Sequence, residues 1–455
     1  MDFDSILTPA ETELYVSNIQ PTSLDQLGTE SWFEAHERLQ RLYQQATLEA
    51  SKHVHEQVKD DILSHQKLQI LVHEAILISI WKQKILPRIL KTHPEAENTF
   101  PIYIVFYHEA TVIGLLQTLL YHSECCECLD DSAVELVDYC IFILTRIAIS
   151  TQNKEDWEPN KKQSSPLQEL SNQERNLLFG IGSSCLSIVR YLIESLDSVP
   201  VTVASRLYSD NDVPLLISQL IDQEAWTRTD FEGETYKHEG NQAVEMTTFT
   251  MEKGNIFFRG DWRKTSDLEE MTKTEAQLWL TMHQLLLNKH ISNHYEFTES
   301  RRNRLGKLSR FLHELLVDQL PPLLDLKQWL AHLSVSQLPS TASRKSFIVE
   351  LSSQFRNGLE LRYDGRWDEL AEKHARLLID VTPAEMQRLA ASLSNAFDSI
   401  ADVADDGPRC ANCGQSATQK CSSCKNEWYC GRPCQVKQWK NHKPVCSVVN
   451  EATKS

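Results

Sequence analysis

Apolar and polar residues alternate with a helical period along most of residues 1–404. Between residues 31 and 63 the apolar positions recur three or four residues apart, as on one face of an α-helix. The runs 68–90, 109–121 and 133–149 are denser in apolar residues, which predicts helices that are buried on more than one side. Further helices are predicted at 169–195, 211–221, 274–288, 301–319, 323–333, 346–355, 367–379 and 383–402. The last of these starts with an N-cap threonine, a proline at the first position and an acid at the third, which are Thr382, Pro383 and Glu385.

Two stretches interrupt the helical pattern. Residues 151–166 are polar and contain two prolines, which indicates a linker. Residues 230–262 are rich in Thr, Phe and Gly, which predicts an irregular loop or a short hairpin inserted between helices. The predicted organisation is therefore an N-terminal helical domain (1–150), a linker (151–166), a second helical region (167–404) with the insertion 230–262, a cysteine-rich module (405–449) and a tail (450–455).

The helices follow one another with the rhythm of a helical-repeat protein. Residues 108–122 and 130–147 read as a helix, a turn and a second helix, and residues 211–221 place a polar turn and a proline before an apolar helix. The latter pattern resembles armadillo repeats. No fixed period emerges, so an irregular helical bundle remains the alternative. We predict a mostly α fold, with an armadillo-like or helical-repeat body and a small C-terminal cysteine-rich module.

Composition supports this fold class and narrows the possible partners. The 455 residues include only 14 glycines and 16 prolines, which favours helices. The start of the chain lacks the basic segment and apolar run of a secretory signal, so we expect reduced cysteines. The apolar runs 68–81 and 102–121 each contain a His–Glu pair, and we expect buried core helices and no membrane span. The formal net charge is −17, and the acidic body argues against nucleic-acid binding.

Catalytic motifs are missing from the body sequence. None of its His–Glu pairs is followed by a second histidine at the spacing of a zinc-hydrolase helix; the histidines are His36, His55, His73, His108, His238 and His313. G-x-S-x-G, P-loop and G-x-G-x-x-G motifs are absent as well. We therefore predict a protein that is not an enzyme, whose histidines are surface or satisfied core residues.

A second cysteine-rich stretch lies within the body. His122, Cys125, Cys126 and Cys128 could supply soft ligands to a metal. They also lie in an acidic connector, where three free thiols need no metal. Free thiols are the favoured interpretation, and a metal at this site is the alternative.

The strongest motif is at the C-terminal end. Residues 410–446 hold seven of the twelve cysteines, in the spacing C-x2-C-x7-C-x2-C-x5-C-x3-C-x7-H-x3-C. Seven thiolates and one imidazole complete two tetrahedral sets with no position left for a substrate water, which is typical of structural zinc. Each ion would contribute on the order of 10 kcal/mol to the folding of so short a segment. Two structural Zn²⁺ are therefore predicted, and the spacing alone leaves sequential and interleaved pairing of the ligands open.

This spacing resembles the MYND-type zinc finger at every ligand position. The resemblance implies interleaved pairing, with one zinc on Cys410, Cys413, Cys430 and Cys434 and the other on Cys421, Cys424, His442 and Cys446. It also implies a groove that binds short proline-containing peptides of partner proteins. By the same resemblance the groove is lined by Ser422, Gln435 and Trp439. The alternatives are that Trp439 packs against the zinc loops and that Ser422 and Gln435 are simple surface residues.

Segments of the body and of the finger together are similar to a particular group of MYND-finger proteins, the cytoplasmic factors that preassemble axonemal dynein arms for motile cilia. The segments are 81–87, 98–110, 135–140, 318–323 and 426–439. This resemblance implies a non-catalytic adaptor in a chaperone relay. Its implied partners are a leucine-rich-repeat assembly factor, Hsp90-linked co-chaperones including an FKBP-type immunophilin, and axonemal dynein chains as clients. The implied location is the cytoplasm, with a pool at centriolar satellites or the basal body region.

MYND fingers also occur in two other classes of protein. Some MYND fingers lie inside SET-type lysine methyltransferases, towards the N-terminal part and with catalytic motifs around them. Here the finger is C-terminal, and Asn293 and His294 are followed by Tyr and Glu where a thiol-containing loop would be expected. A transcriptional corepressor that uses the finger to bind regulators remains the alternative to the adaptor.

Overall fold

The structure is a computed structural model that describes residues 6–152, 165–230, 233–239, 262–265, 270–335, 354–382, 385–386, 388, 412, 417, 419–422, 428–439 and 442–443. Several predicted features lie wholly or mostly outside these residues. They are the linker 151–166, most of the insertion 230–262, most of the predicted helices 346–355 and 383–402, and the tail 450–455. The predicted domain boundaries fall at or near these gaps and stay predictions.

Helices dominate the described chain, as predicted. Their bounds are α1 Pro9–Ser17, α2 Glu30–Lys52, α3 Gln57–Ser64, α4 Leu68–Lys84, α5 Leu86–Thr92, α6 Phe100–Leu120, α7 Ser123–Glu127, α8 Ser132–Gln152, α9 Pro166–Glu194, α10 Val201–Ser205, α11 Val213–Asp222, α12 Lys273–Leu287, α13 Ile291–His294, α14 Glu299–Gly306, α15 Glu314–Gln319, α16 Leu323–Val335, α17 Gln354–Arg362 and α18 Trp367–Leu378. Short 3₁₀ turns span Leu24–Gln26 and Lys307–Arg310, and a π turn spans Arg206–Asp210.

Local chemistry accounts for where several helices begin and end. The predicted run 31–63 is two helices, because His53 adopts a left-handed backbone (φ 51°) that ends α2. The predicted run 68–90 divides at Ile85, because Pro87 in the first turn of α5 has no N–H to donate to the preceding turn. The predicted N-cap of the helix at 383 is present. The Thr382 N–H donates to Glu385 (2.9 Å), and the Glu385 N–H donates back to the Thr382 hydroxyl (3.3 Å).

The two most apolar long helices form the centre of the body. Helix α6 contacts α2, α4 and α9, helix α9 contacts α8 and α12, and helix α12 contacts α11 and α16. Each of these helices thus buries its apolar surface against several other helices, and some of those are not its neighbours in the chain. The mostly α fold class is confirmed. Helices α6 and α9 are long and apolar enough to cross a bilayer, but 83% of each apolar window is buried inside the body.

The last helices of the body return to its first ones. Helix α17 contacts α4, and α18 contacts α5 and α6. The indole N–H of Trp81 donates to Nδ1 of His374 (2.9 Å), and Nε2–H of His374 donates to the Leu24 carbonyl (2.9 Å). At the surface, Arg88 donates to Asp368 (2.8 Å). One hydrophobic core consequently extends from Leu7 to Leu378.

A small antiparallel sheet lies at the predicted insertion. Its strands are β1 Thr227–Thr229, β2 Thr235–His238 and β3 Trp262–Lys264, in the order β1-β2-β3. In register, Arg228 pairs with Tyr236, and Lys237 pairs with Arg263. Strands β1 and β2 form a hairpin that starts at Thr227. Most of the segment 230–262, which the sequence predicts to be a loop or a short hairpin, lies outside the described residues and stays a prediction. Within the described residues the sheet also contains β3, which the sequence did not predict.

Candidate functional site

The described part of the cysteine-rich module has its own small scaffold. Strands β4 (Gln419–Lys420) and β5 (Trp428–Tyr429) pair antiparallel, and helical backbone follows at 432–439. Its buried core consists of Ala417, Cys421 and Tyr429, with Trp428 packed against it. The Lys420 ammonium lies 4.5 Å from the centroid of the Trp428 ring. The core within the described residues of the module is small, and bound metal would add to the stability of the module.

The described candidate ligands form two pairs. The thiol sulfurs of Cys430 and Cys434 are 3.5 Å apart. The first turn of the helix brings them together, because the Cys434 N–H donates to the Gly431 carbonyl (3.1 Å). In the other pair, Nε2 of His442 lies 3.3 Å from the sulfur of Cys421.

These distances fit zinc. Ligands on a tetrahedral Zn²⁺ with Zn–S of about 2.3 Å and Zn–N of about 2.0 Å stand roughly 3.8 Å apart for two sulfurs and roughly 3.6 Å apart for a sulfur and a nitrogen. Both observed pairs are within a few tenths of an ångström of those separations. Zinc bound at both pairs would hold the two strands against the helix.

The same pairs favour the interleaved assignment. Sequential pairing would place Cys421 in the first zinc set and His442 in the second, although the two side chains touch. Interleaved pairing places them on one ion and Cys430 with Cys434 on the other. The remaining predicted ligands, Cys410, Cys413, Cys424 and Cys446, lie outside the described residues, and the complete ligand sets stay a prediction.

The predicted groove residues lie on the helix and beside it. Trp439 is 40% exposed, and its ring stands 5.8 Å from the His442 ring in an edge-on arrangement. The indole therefore packs against a predicted zinc ligand and still offers part of its surface to solvent. Gln435 is half-buried one turn before it, and Ser422 is exposed directly after Cys421. Sequence reasoning missed Val436, which is 67% exposed. The helical spacing from Trp439 could have found it.

The sequence predicts that the histidines of the body are surface or core residues, and the structure contains both kinds. His55 and His313 are exposed, whereas His36 and His108 are buried with their Nδ1 atoms 3.1 Å apart. The ring of His36 stacks on Trp32, with ring centroids 5.9 Å apart. Burial holds the pKa of His36 well below its ordinary value, with a smaller contribution from His108. His36 is consequently neutral at pH 7 and acts as part of the core.

The cysteines at 125–128 do not form a metal site with the described residues around them. Cys125 and Cys126 are buried, and burial raises their thiol pKa values to about 12 and about 11 respectively. Metal binding requires thiolates, which this burial disfavours. The thiol of Cys126 donates to the Leu120 carbonyl (3.3 Å), and His122 hydrogen-bonds to Glu56 (2.9 Å). In the part of the chain that the structure describes, no three His, Cys, Asp or Glu side chains are grouped to hold a metal.

Comparisons with known proteins agree with the C-terminal site. The MYND finger family matches residues 410–446. The chain is 35% identical to Protein CBFA2T2 of mouse and of human over 80 residues, which are 18% of this chain and 13% of those proteins. No solved structure matches the chain.

A full-length relative extends the similarity to the helical body. The zinc finger MYND domain-containing protein 10 homolog of Drosophila melanogaster is 32% identical to this chain over 464 aligned residues. The alignment covers 96% of this chain and 98% of the relative. Since the identity extends across nearly the whole of both proteins, this chain belongs to the zinc finger MYND domain-containing protein 10 family.

Proposed function

We propose that this protein is a non-catalytic adaptor whose zinc finger recruits a partner protein through a short peptide. The observation that carries the proposal is the exposed apolar pair Val436 and Trp439 beside Gln435, on a helix that bound zinc would hold in place. A partly exposed indole next to an amide supplies an apolar anchor and a hydrogen-bonding group for a peptide backbone. Because zinc fixes the helix in advance, little conformational entropy is lost on binding.

The proposed process is the cytoplasmic preassembly of axonemal dynein arms, which motile cilia require. Support comes from the full-length family relationship and from the similarity of body segments such as 98–110 to dynein-arm assembly factors. The proposed partners are a leucine-rich-repeat assembly factor, Hsp90-linked co-chaperones including an FKBP-type immunophilin, and dynein chains as clients. The proposed location is the cytoplasm, with a pool at centriolar satellites or the basal body region.

The helical body suits the task of holding clients. Its helices pack around α6 and α9, and α18 near the end of the body contacts α5 and α6. Such a stack presents a large, stable outer surface on which several proteins can bind at once. In this proposal the body holds clients or co-chaperones and the finger recruits the partner.

Affinity purification with mass spectrometry from ciliating cells tests the proposal. The baits are the full chain, the Trp439→Ala variant and a Lys437→Ala control. Lys437 is exposed on the same helix, roughly 160° around the helix axis from Trp439. We expect dynein chains and co-chaperones with the full chain, and a subset of them lost with Trp439→Ala and retained with Lys437→Ala. Metal analysis should show equal zinc in all three baits.

Three results would contradict the proposal. Recovery of histones and repressors in place of dynein-related proteins would favour the corepressor alternative. Full retention of every partner by Trp439→Ala would place the recruiting surface elsewhere. Methyl transfer from S-adenosylmethionine to a lysine by the purified chain would contradict the non-catalytic adaptor.

A further inference from the structure

A charged residue lies in line with the exposed apolar pair of the finger. Arg432, Gln435, Val436 and Trp439 occupy positions i, i+3, i+4 and i+7 of the helical residues 432–439. Side chains at that spacing lie on one face of a helix. Arg432 is exposed, so this face presents an apolar anchor site at one end and a guanidinium group at the other.

The surrounding charge favours an acidic ligand at the Arg432 end. Residues 408–446 contain seven Lys and Arg but a single acid, Glu427. The finger keeps a net positive charge when two Zn²⁺ and seven thiolates are included. The Lys and Arg side chains of the finger therefore have few carboxylates within the finger with which to form ion pairs. A guanidinium group pairs best with a carboxylate, through two parallel hydrogen bonds.

We infer that the peptide bound by the finger carries an Asp or Glu about three residues from the apolar side chain that packs on Trp439. The spacing follows from geometry. Trp439 follows Arg432 by seven positions on the helix, so their Cα atoms are about 10.5 Å apart. An extended peptide spans that distance in about three residues. The inference rests on the proposed function and adds to it a charge and a register for the partner sequence.

A peptide array tests this inference with the full, zinc-loaded chain. Each synthetic peptide contains a leucine flanked by prolines, with Glu, Gln or Lys placed one to five residues from that leucine. Affinity is measured by fluorescence polarisation at low and high salt. We expect Glu to be preferred over Gln by about two- to fivefold near the third position, since exposed ion pairs contribute modestly. That preference should disappear at high salt.

Matched variants separate a specific contact from general attraction. Arg432→Gln should abolish the preference for Glu, and Arg432→Glu should shift it to Lys. Lys437→Gln removes the same charge from another face of the same helix and should leave the preference unchanged. Equal loss of preference in Arg432→Gln and Lys437→Gln would overturn the inference, as would an unchanged preference in Arg432→Gln.

The outcomes also distinguish this inference from the proposal on which it rests. Binding of the peptides that depends on Trp439 but shows no preference among Glu, Gln and Lys would refute the inference and leave the groove in place. If the wild-type chain binds none of the peptides, the peptide-binding groove fails, and the inference fails with it.

Discussion

A buried ion pair joins four helices of the body and offers a sharp test of the structure. The Lys82 ammonium on α4 lies 3.0 Å from a carboxylate oxygen of Glu109 on α6 and 3.3 Å from Glu174 on α9. The Tyr139 hydroxyl on α8 donates to the other oxygen of Glu109 (2.9 Å). The side chains of Lys82 and Glu109 are only 5% and 1% exposed. Water therefore cannot replace either partner.

The test substitution is Lys82→Met, which removes the charged ammonium group and keeps an unbranched apolar side chain that is one atom shorter. The substitution leaves the Glu109 carboxylate buried without its cation. Loss of one partner of a buried pair typically lowers the free energy of unfolding by about 3–5 kcal/mol. The control is Arg38→Met, because Arg38 pairs with Glu34 at 3.1 Å on an exposed face, where side chains are 42% and 60% exposed. That change should cost less than about 1 kcal/mol.

A double variant tests the stated cause of the loss. Lys82→Met combined with Glu109→Gln removes both charges, and the amide oxygen of the glutamine can still accept from Tyr139. Glu174 keeps its ion pair with Arg146 (3.1 Å). The double variant should therefore be more stable than Lys82→Met alone, by at least about 1 kcal/mol, because no unpaired charge stays buried.

Urea unfolding followed by far-UV circular dichroism measures these differences as shifts of the midpoint at unchanged slope. Two results would refute the reasoning. One is a Lys82→Met midpoint no lower than that of Arg38→Met. The other is a double variant less stable than the single one, which would mean that the lost contacts, and not the unpaired carboxylate, cause the destabilisation.

Three further predictions follow from single sites. Cys421→Ala removes a predicted zinc ligand, so metal analysis should find less than two zinc ions per chain while the far-UV signal of the helices persists; unchanged zinc content would contradict the assignment. Burial, the main cause, holds the pKa of His374 at about 4, below its ordinary 6.5. As the pH falls, His374 in the unfolded chain takes up a proton before His374 in the folded chain, so the free energy of unfolding is unaffected by this residue above pH 6.5 and about 2 kcal/mol lower at pH 5. Urea midpoints measured at constant ionic strength should fall over that pH range. The fall should be smaller in His374→Phe. A methyl group at Gly114 would stand 2.5 Å from the ring of Tyr43, so Gly114→Ala should lower the thermal midpoint by the equivalent of about 1–3 kcal/mol. Gly182→Ala is the control and should lower it less, because the added methyl group meets the flexible end of the Ile147 side chain. Equal midpoints of the two variants would argue against this packing.

Sequence reasoning worked best where the signal is local. Helical periodicity located most of the described helices, and the capping pattern at Thr382 is present as predicted. It failed at breaks inside apolar runs. His53 and Ile85 interrupt runs whose periodicity continues on both sides, so the pattern alone joins two helices into one. Strand β3 was missed because its partner β2 lies more than twenty residues earlier in the chain.

The candidate site also has features that the sequence predicts and features that it does not. Ligand number and spacing in residues 410–446 predict two closed tetrahedral zinc sets from the sequence alone. Which ligands share an ion could not be predicted from spacing, since it depends on how the chain folds back. The contact of Cys421 with His442 favours the interleaved pairing, and the complete ligand sets stay a prediction. The exposure of Val436 and Trp439 is likewise a result of packing, because an apolar residue on a short helix can face either the zinc loops or solvent.

The sequence by itself therefore determined the mostly α class, the helical body and the chemistry of the metal-binding finger. These follow from relations between residues a few positions apart, such as helical spacing, capping and paired ligands. Only the tertiary structure decided that α18 closes onto α5 and α6, and that Lys82, Glu109 and Glu174 share one buried site. Trp81 and His374 are 293 positions apart in the chain, and their hydrogen bond exists because the core that encloses the indole N–H of Trp81 also brings Nδ1 of His374 within reach as its acceptor.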